Sequence, residues 1–271
     1  MRRNFAQVLR EGKIDIRDEY AKLYTLFYGK NSDGKSIAKM ISDNFINCYF
    51  RGTCLHLDEF DRVYGFHFEA HPNDISVEYL VNFCEYIYNL IAANQEILFQ
   101  RDSSFMFTQI LKVIEAIGYT NAKNSQFMIF VPKDSVAVAV SESEYIPKDI
   151  SYKVIAYNHH SMKGNLEGKK ETLLKLADIL EAKRAKLSKV TESGVEKDLF
   201  FLLNNCNIRH NNRDINLKGK YHRFIAEISG GEQERIYDEI YQMCLLAFMQ
   251  LEHADRKDWL DDLKDKIVND K

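Results

Sequence analysis

Apolar residues recur every three to four positions along most of this chain, and that period leaves few architectures open. Val195, Leu199, Leu202, Leu203 and Cys206 fall at i, i+4, i+7, i+8 and i+11, one face of an α-helix. The same spacing puts Val77, Leu80, Val81, Cys84, Ile87, Tyr88 and Ile91 on one stripe. Phe107, Ile110, Leu111, Ile114 and Ile117 form another, with Gly118 placed to stop the helix. Leu173, Leu176, Ala177, Leu180 and Leu187 mark a helix over 166–188 whose outer face is rich in lysine. Ser229 to Glu232 reads as a capping box opening a helix with Ile236, Ile240, Met243, Cys244, Ala247, Phe248 and Leu251 on its stripe. A charged helix over 255–268 is anchored by Trp259, Leu260, Leu263 and Ile267. Only 3 Pro and 12 Gly interrupt these patterns, so the sequence predicts a folded, mainly α protein.

The period shifts between 121 and 160. FMIFV (127–131) and VAVAV (136–140) read as a β-hairpin turning at Pro132–Ser135, although VAVAVSESE also suits the start of a helix. SYKVIAYNHH (151–160) reads as a third strand. His159 and His160 are adjacent and diverge on a strand or a helix, which makes them a poor metal pair. The expected organisation is an N-terminal helical region (1–120), a β-hairpin connector (121–160) and a helical bundle (161–271).

Composition narrows the function classes. The net charge is -3, so contact with nucleic acid has to come from a local basic patch. No apolar run approaches the ~18 residues that span a bilayer, and the stretch MRRNFAQVLREGK lacks the apolar core of a secretion signal. The five cysteines fall on apolar stripes without CxxC spacing, which fits free thiols in a reducing cytoplasm better than disulfides or zinc. The reading is a cytoplasmic protein with no membrane contact, cofactor or metal.

Gly29-Lys-Asn-Ser-Asp-Gly34-Lys35-Ser36 matches the phosphate-loop pattern, in which backbone amides and the lysine hold phosphates and the serine holds magnesium. That motif needs a buried strand before it, yet LYTLFY reads as easily as helix, so a polar turn between helices competes with an NTPase site. Residues 47–70 gather Arg51, His56, Asp58, Glu59, Asp61, Arg62 and His67, either a compact site or a connection with surface ion pairs.

The densest polar cluster follows the Leu203–Cys206 stripe. Continuing that stripe brings Arg209 and Arg213 to the rim of a buried seam, where a guanidinium needs a carboxylate or phosphate partner. Asn204, Asn205, Asn207, His210, Asn211, Asn212 and Asp214 surround Arg209; helix-end capping and a functional site both use such residues.

The order of a lysine-rich helix, a helix ending in NNCNIRHNN, a polar loop and a long apolar helix resembles the HEPN superfamily, in particular the C-terminal module of abortive-infection proteins that act against phage. The resemblance covers residues 161–271 and implies a dimeric helical-bundle toxin or effector that cleaves RNA without a metal, with room for a regulatory partner protein. Active members use an Arg, a polar residue and then a His; Arg209 and His210 match the first two, with Asn205, Asn211, Asn212 and His222 in support. The positions where the second His would fall hold Asp214, Ile215 and Asn216, and the nearest later histidine is His222. The alternative to catalysis is a bundle that binds nucleic acid, nucleotide or protein through the same groove.

Overall fold

The computed structural model describes residues 14–30, 34–98, 100–123, 126–191 and 194–269. Among them are twelve α-helices and one two-stranded hairpin, so the fold is mainly α with a short β element. The chain divides between Pro132 and Lys133 into two units, each with its own core.

In the first unit, α1 (Ile16–Tyr28) starts where the Asp15 carboxylate accepts the amides of Arg17 and Asp18, and it buries Tyr20, Leu23 and Phe27. Ser36 caps α2 (Ile37–Asn44) by accepting the Lys39 amide, and α3 (Leu57–Tyr64) stops at Gly65, whose φ of 75° suits a residue without a Cβ. The centre of the unit is α4 (Val77–Ala93), capped by Ser76 and buried along most of its length. It packs on α1, on α5 (Gln100–Ala116) and on the hairpin strand β2. β1 (Tyr119–Lys123) pairs antiparallel with β2 (Met128–Pro132), Tyr119 opposite Pro132 and Lys123 opposite Met128. Side chains of α4 fasten β2: Asn89 donates to the Met128 carbonyl and accepts its amide at 2.8 and 2.9 Å, and Glu85 Oε1 accepts the Phe130 amide at 2.6 Å.

The second unit opens with α6 (Ser135–Ser141) and α7 (Lys148–Ala156) and continues through α8 (Leu166–Ala182), α9 (Arg184–Val190), α10 (Val195–Asn205) and the short α11 (Arg223–Glu227). It ends in the 40-residue α12 (Gly230–Asn269). The first half of α12 is the spine, packed against α6, α8, α9 and α10. Its capping box forms as the sequence predicts: Ser229 Oγ accepts the Glu232 amide at 3.2 Å while Glu232 accepts the Ser229 amide at 3.1 Å. Tyr241 stacks on Tyr157 with ring centroids 3.9 Å apart, and buried Lys169 is held between Glu234 and Asp238 at 2.8 and 2.7 Å. All five cysteines are buried free thiols.

Four elements differ from the sequence reading; one is the charged helix over 255–268, which is the second half of the continuous α12. VAVAV is not a strand: the Asp134 carboxylate accepts the Val136 and Ala137 amides and starts α6 there, so the partner of MIFVP is the polar segment YTNAK. SYKVIA is helical in α7, which begins as the Pro147 carbonyl accepts the Ser151 amide. The helix over 166–188 breaks at Lys183 into α8 and α9.

Candidate functional site

The polar cluster after α10 is a compact loop rather than more helix. Cys206 leaves helical geometry and Asn207 takes a left-handed conformation (φ 61°), the one residue other than glycine to do so among those described. Asparagine tolerates that region better than other side chains because its short amide bonds locally. Arg209 and Arg213 are therefore not on the α10 stripe, and their directions are set by the loop.

Asn212, 1% exposed, holds the loop. Its Oδ1 accepts the Asn207 amide at 2.8 Å and its Nδ2 donates to the Lys220 carbonyl at 2.6 Å. Its own amide donates to the His210 carbonyl at 3.0 Å and its carbonyl accepts the His222 amide at 2.9 Å. A second buried amide, Gln233 on α12, donates to the Cys206 carbonyl at 3.1 Å and accepts from the Arg213 guanidinium at 3.2 Å. Tyr237 donates to the Asn207 carbonyl at 3.2 Å, and Arg213 Nε donates to the Ile225 carbonyl at 3.1 Å. Buried backbone groups left without such partners would each cost about 1–3 kcal/mol. The underside of the loop is thus a closed hydrogen-bond network resting on the spine.

The outer side carries the ionisable groups. Lys220 Nζ donates to His210 Nδ1 at 2.9 Å, because an ammonium has no acceptor. Burial, then the charges of Lys220 and Arg209, push the His210 pKa below its ordinary value, which favours the neutral imidazole at pH 7. His222 Nε2 bonds Asn205 Oδ1 at 2.8 Å, and Asn205 in turn donates to the Phe201 carbonyl. Arg209 finds the carboxylate its position demands in Glu181 at 2.8 Å, with the two side chains 26% and 38% exposed. Asn211 is exposed and accepts the Arg213 amide at 3.3 Å.

All six expected residues of this site lie at the one loop, with different roles. Asn212 faces inward as scaffold, while His210, His222 and Asn205 face outward. The surroundings add what the sequence reading did not name. Lys220 completes the cationic side, and Phe201 on α10 and Phe224 on α11 are 64% and 69% exposed. From Asn207 to Arg223 there are five Lys or Arg against one carboxylate, in a chain of net charge -3.

At the phosphate-loop match, Gly29 closes helix α1 rather than a strand. A Cβ on it would lie 2.3 Å from the Thr25 carbonyl oxygen, so glycine is needed for that helix end itself. Gly34 has φ 75°, Lys35 is exposed, Ser36 caps α2, and positions 31–33 lie outside the described residues. In the 47–70 segment, Arg51 donates to the carbonyls of Ile46 and Cys54, and Asp61 accepts from Tyr86 Oη at 2.9 Å. Burial pushes the Asp61 pKa up to about 6 against that hydrogen bond.

Comparison with family models, with curated proteins and with solved structures gives no match to this chain.

The geometry makes His210 a test of the local electrostatics. In an NMR titration its imidazole is expected to lose its proton below the ordinary histidine value of about 6.5. Removing the adjacent cation with Lys220→Met is expected to raise that midpoint. An unshifted midpoint in both proteins would contradict the arrangement.

Proposed function

We propose that the second unit is a HEPN-like effector of antiphage, abortive-infection type that binds single-stranded RNA over the Asn205–Phe224 surface and cleaves it without a metal. The observation that carries the reading is the Lys220–His210 contact: a cation beside an imidazole that is biased towards its neutral form, on a loop held from below by Asn212. A neutral imidazole can accept a proton at physiological pH, and cations stabilise a phosphorane. In this scheme the Lys220 ammonium transfers from His210 Nδ1 to the phosphate as RNA binds, the freed Nδ1 takes the 2′-hydroxyl proton, and the 2′-oxygen attacks the adjacent phosphorus. The P–O5′ bond breaks as the His222 imidazole gives a proton to the leaving oxygen. The products are a 2′,3′-cyclic phosphate and a 5′-hydroxyl. Arg209, oriented by Glu181, and Lys220 offset the charge on phosphorus. Phe201 and Phe224 add exposed rings on which unpaired bases stack.

A second reading is a binding module without chemistry. One observation favours it: Glu181 already neutralises Arg209. Single-turnover cleavage of a labelled single-stranded RNA in EDTA separates the two. His210→Ala is expected to slow cleavage by about 10²–10⁴ while RNA affinity is kept. A 2′-deoxy substitution at the cut site is expected to block it. The wild-type rate is expected to rise with pH through the depressed His210 pKa, because the base works once its proton is gone. Binding without cleavage by the wild type would leave the module and remove the nuclease.

The reading includes a homodimer. Its support is the second half of α12, where Trp259, Leu260, Leu263 and Ile267 are 63%, 39%, 37% and 61% exposed on a helix that projects past the core. Sedimentation of the full chain at tens of micromolar is expected to show a dimer, and Leu260→Asp with Leu263→Asp a monomer of unchanged helicity. A strictly monomeric wild type would rule out this interface.

A further inference from the structure

The first unit contains a cavity of about 300 Å³ bounded by the α2–α3 connection, α3, α4 and β2. That is the lower end of the size range of small-molecule sites. Aromatic rings make most of its wall. Phe60 and Phe66 lie nearly parallel (17°) with centroids 5.7 Å apart, and Phe50 is 5.6 Å from Phe60 and 6.0 Å from Phe127. Tyr86 closes the row 5.1 Å from Phe66. Phe50, Phe66 and Phe127 are only partly buried, so ring faces remain open to whatever enters.

The polar groups of the wall sort into used and unused. Asn89 is committed to Met128 and Glu85 Oε1 to the Phe130 amide, so both hold β2 in place. Tyr86 donates its hydroxyl to Asp61. Asn82, half-buried on α4, lines the cavity and its amide makes no hydrogen bond among the described residues. An amide presents a donor beside an acceptor. No described lining residue is Lys or Arg, and the Glu85 carboxylate is on the wall, so phosphate and carboxylate groups are disfavoured inside.

We propose that this cavity binds a neutral, flat heterocycle of the nucleobase class, as the free base or nucleoside, stacked on an open phenylalanine face and read along one edge by the Asn82 amide. Stacking on aromatic side chains is tolerant of base identity. The side-chain amide supplies orientation, as it does when asparagine or glutamine meets a base edge. Phosphates, if attached, lie outside the cavity in solvent. All the described lining residues belong to the first unit, which this gives a ligand-binding role.

Calorimetric titration of the full chain with adenosine, guanosine, cytidine and uridine tests it. At least one is expected to bind in the micromolar range, while ribose 5-phosphate is not. Asn82→Ala is expected to weaken that binding by about tenfold, the worth of one hydrogen bond, with an unchanged melting temperature. Phe50→Leu keeps apolar bulk but removes a ring face, and is expected to weaken it as well. No heat with any nucleoside at millimolar concentration would overturn the proposal. So would binding that survives both substitutions, or binding lost only in Lys220→Ala, which would assign the signal to the loop of the second unit.

Discussion

The second unit depends on one buried side chain, the amide of Asn212. A 17-residue stretch from Cys206 to His222 has no helix of its own, yet it lies against the spine of the unit and must place its peptide groups somewhere. Asn212 solves this by bonding both ends of the stretch, Asn207 on one side and Lys220 on the other, while its backbone joins His210 to His222. Gln233 does the same for Cys206 and Arg213 from the facing helix. A buried polar network of this kind is favourable only when every member is satisfied, and here the four groups around Asn212 are. The consequence for chemistry is that His210 and Lys220 are brought into contact by scaffold rather than by chance encounter of two exposed side chains.

The helical half of the fold was legible because its cause is local. Stripes such as Leu80–Val81–Cys84–Ile87 bury the residues the period marks, and the Ser36 and Ser229 caps bond the amides their positions suggest. What was not legible depends on competition between local and distant partners. VAVAV has strand composition, but the Asp134 cap starts a helix immediately before it, and Ala137 and Val140 then bury on one helical face. YTNAK has only Tyr119 and Thr120 as strand formers, beside Asn121, Ala122 and Lys123, which strands disfavour. It pairs because MIFVP, fastened to α4 by Glu85 and Asn89, presents an edge that needs a neighbour.

The site divides along the same line. The run of Asn, Arg and His marks a polar loop, and Arg209 has a carboxylate partner in Glu181, although the loop and not the α10 stripe sets its direction. The apolar stripe ends at Cys206, and periodicity does not show where a helix stops when the turn is made by Asn207 in a left-handed conformation rather than by glycine. Gln233 lies on another element; Lys220, Phe201 and Phe224 are close to the cluster in the chain, but periodicity alone does not show which way their side chains face. An exposed phenylalanine cannot be told from a core one by its letter; Phe200 is 1% exposed and its neighbour Phe201 is 64% exposed.

The account stands on the loop being preorganised, and amide hydrogen exchange reads that directly. The Asn207 and His222 amides, both bonded to Asn212, are predicted to exchange slowly, with protection close to that of the Leu203 amide in α10. Exchange of those two amides at the rate of an open loop, with Leu203 still protected, would contradict it.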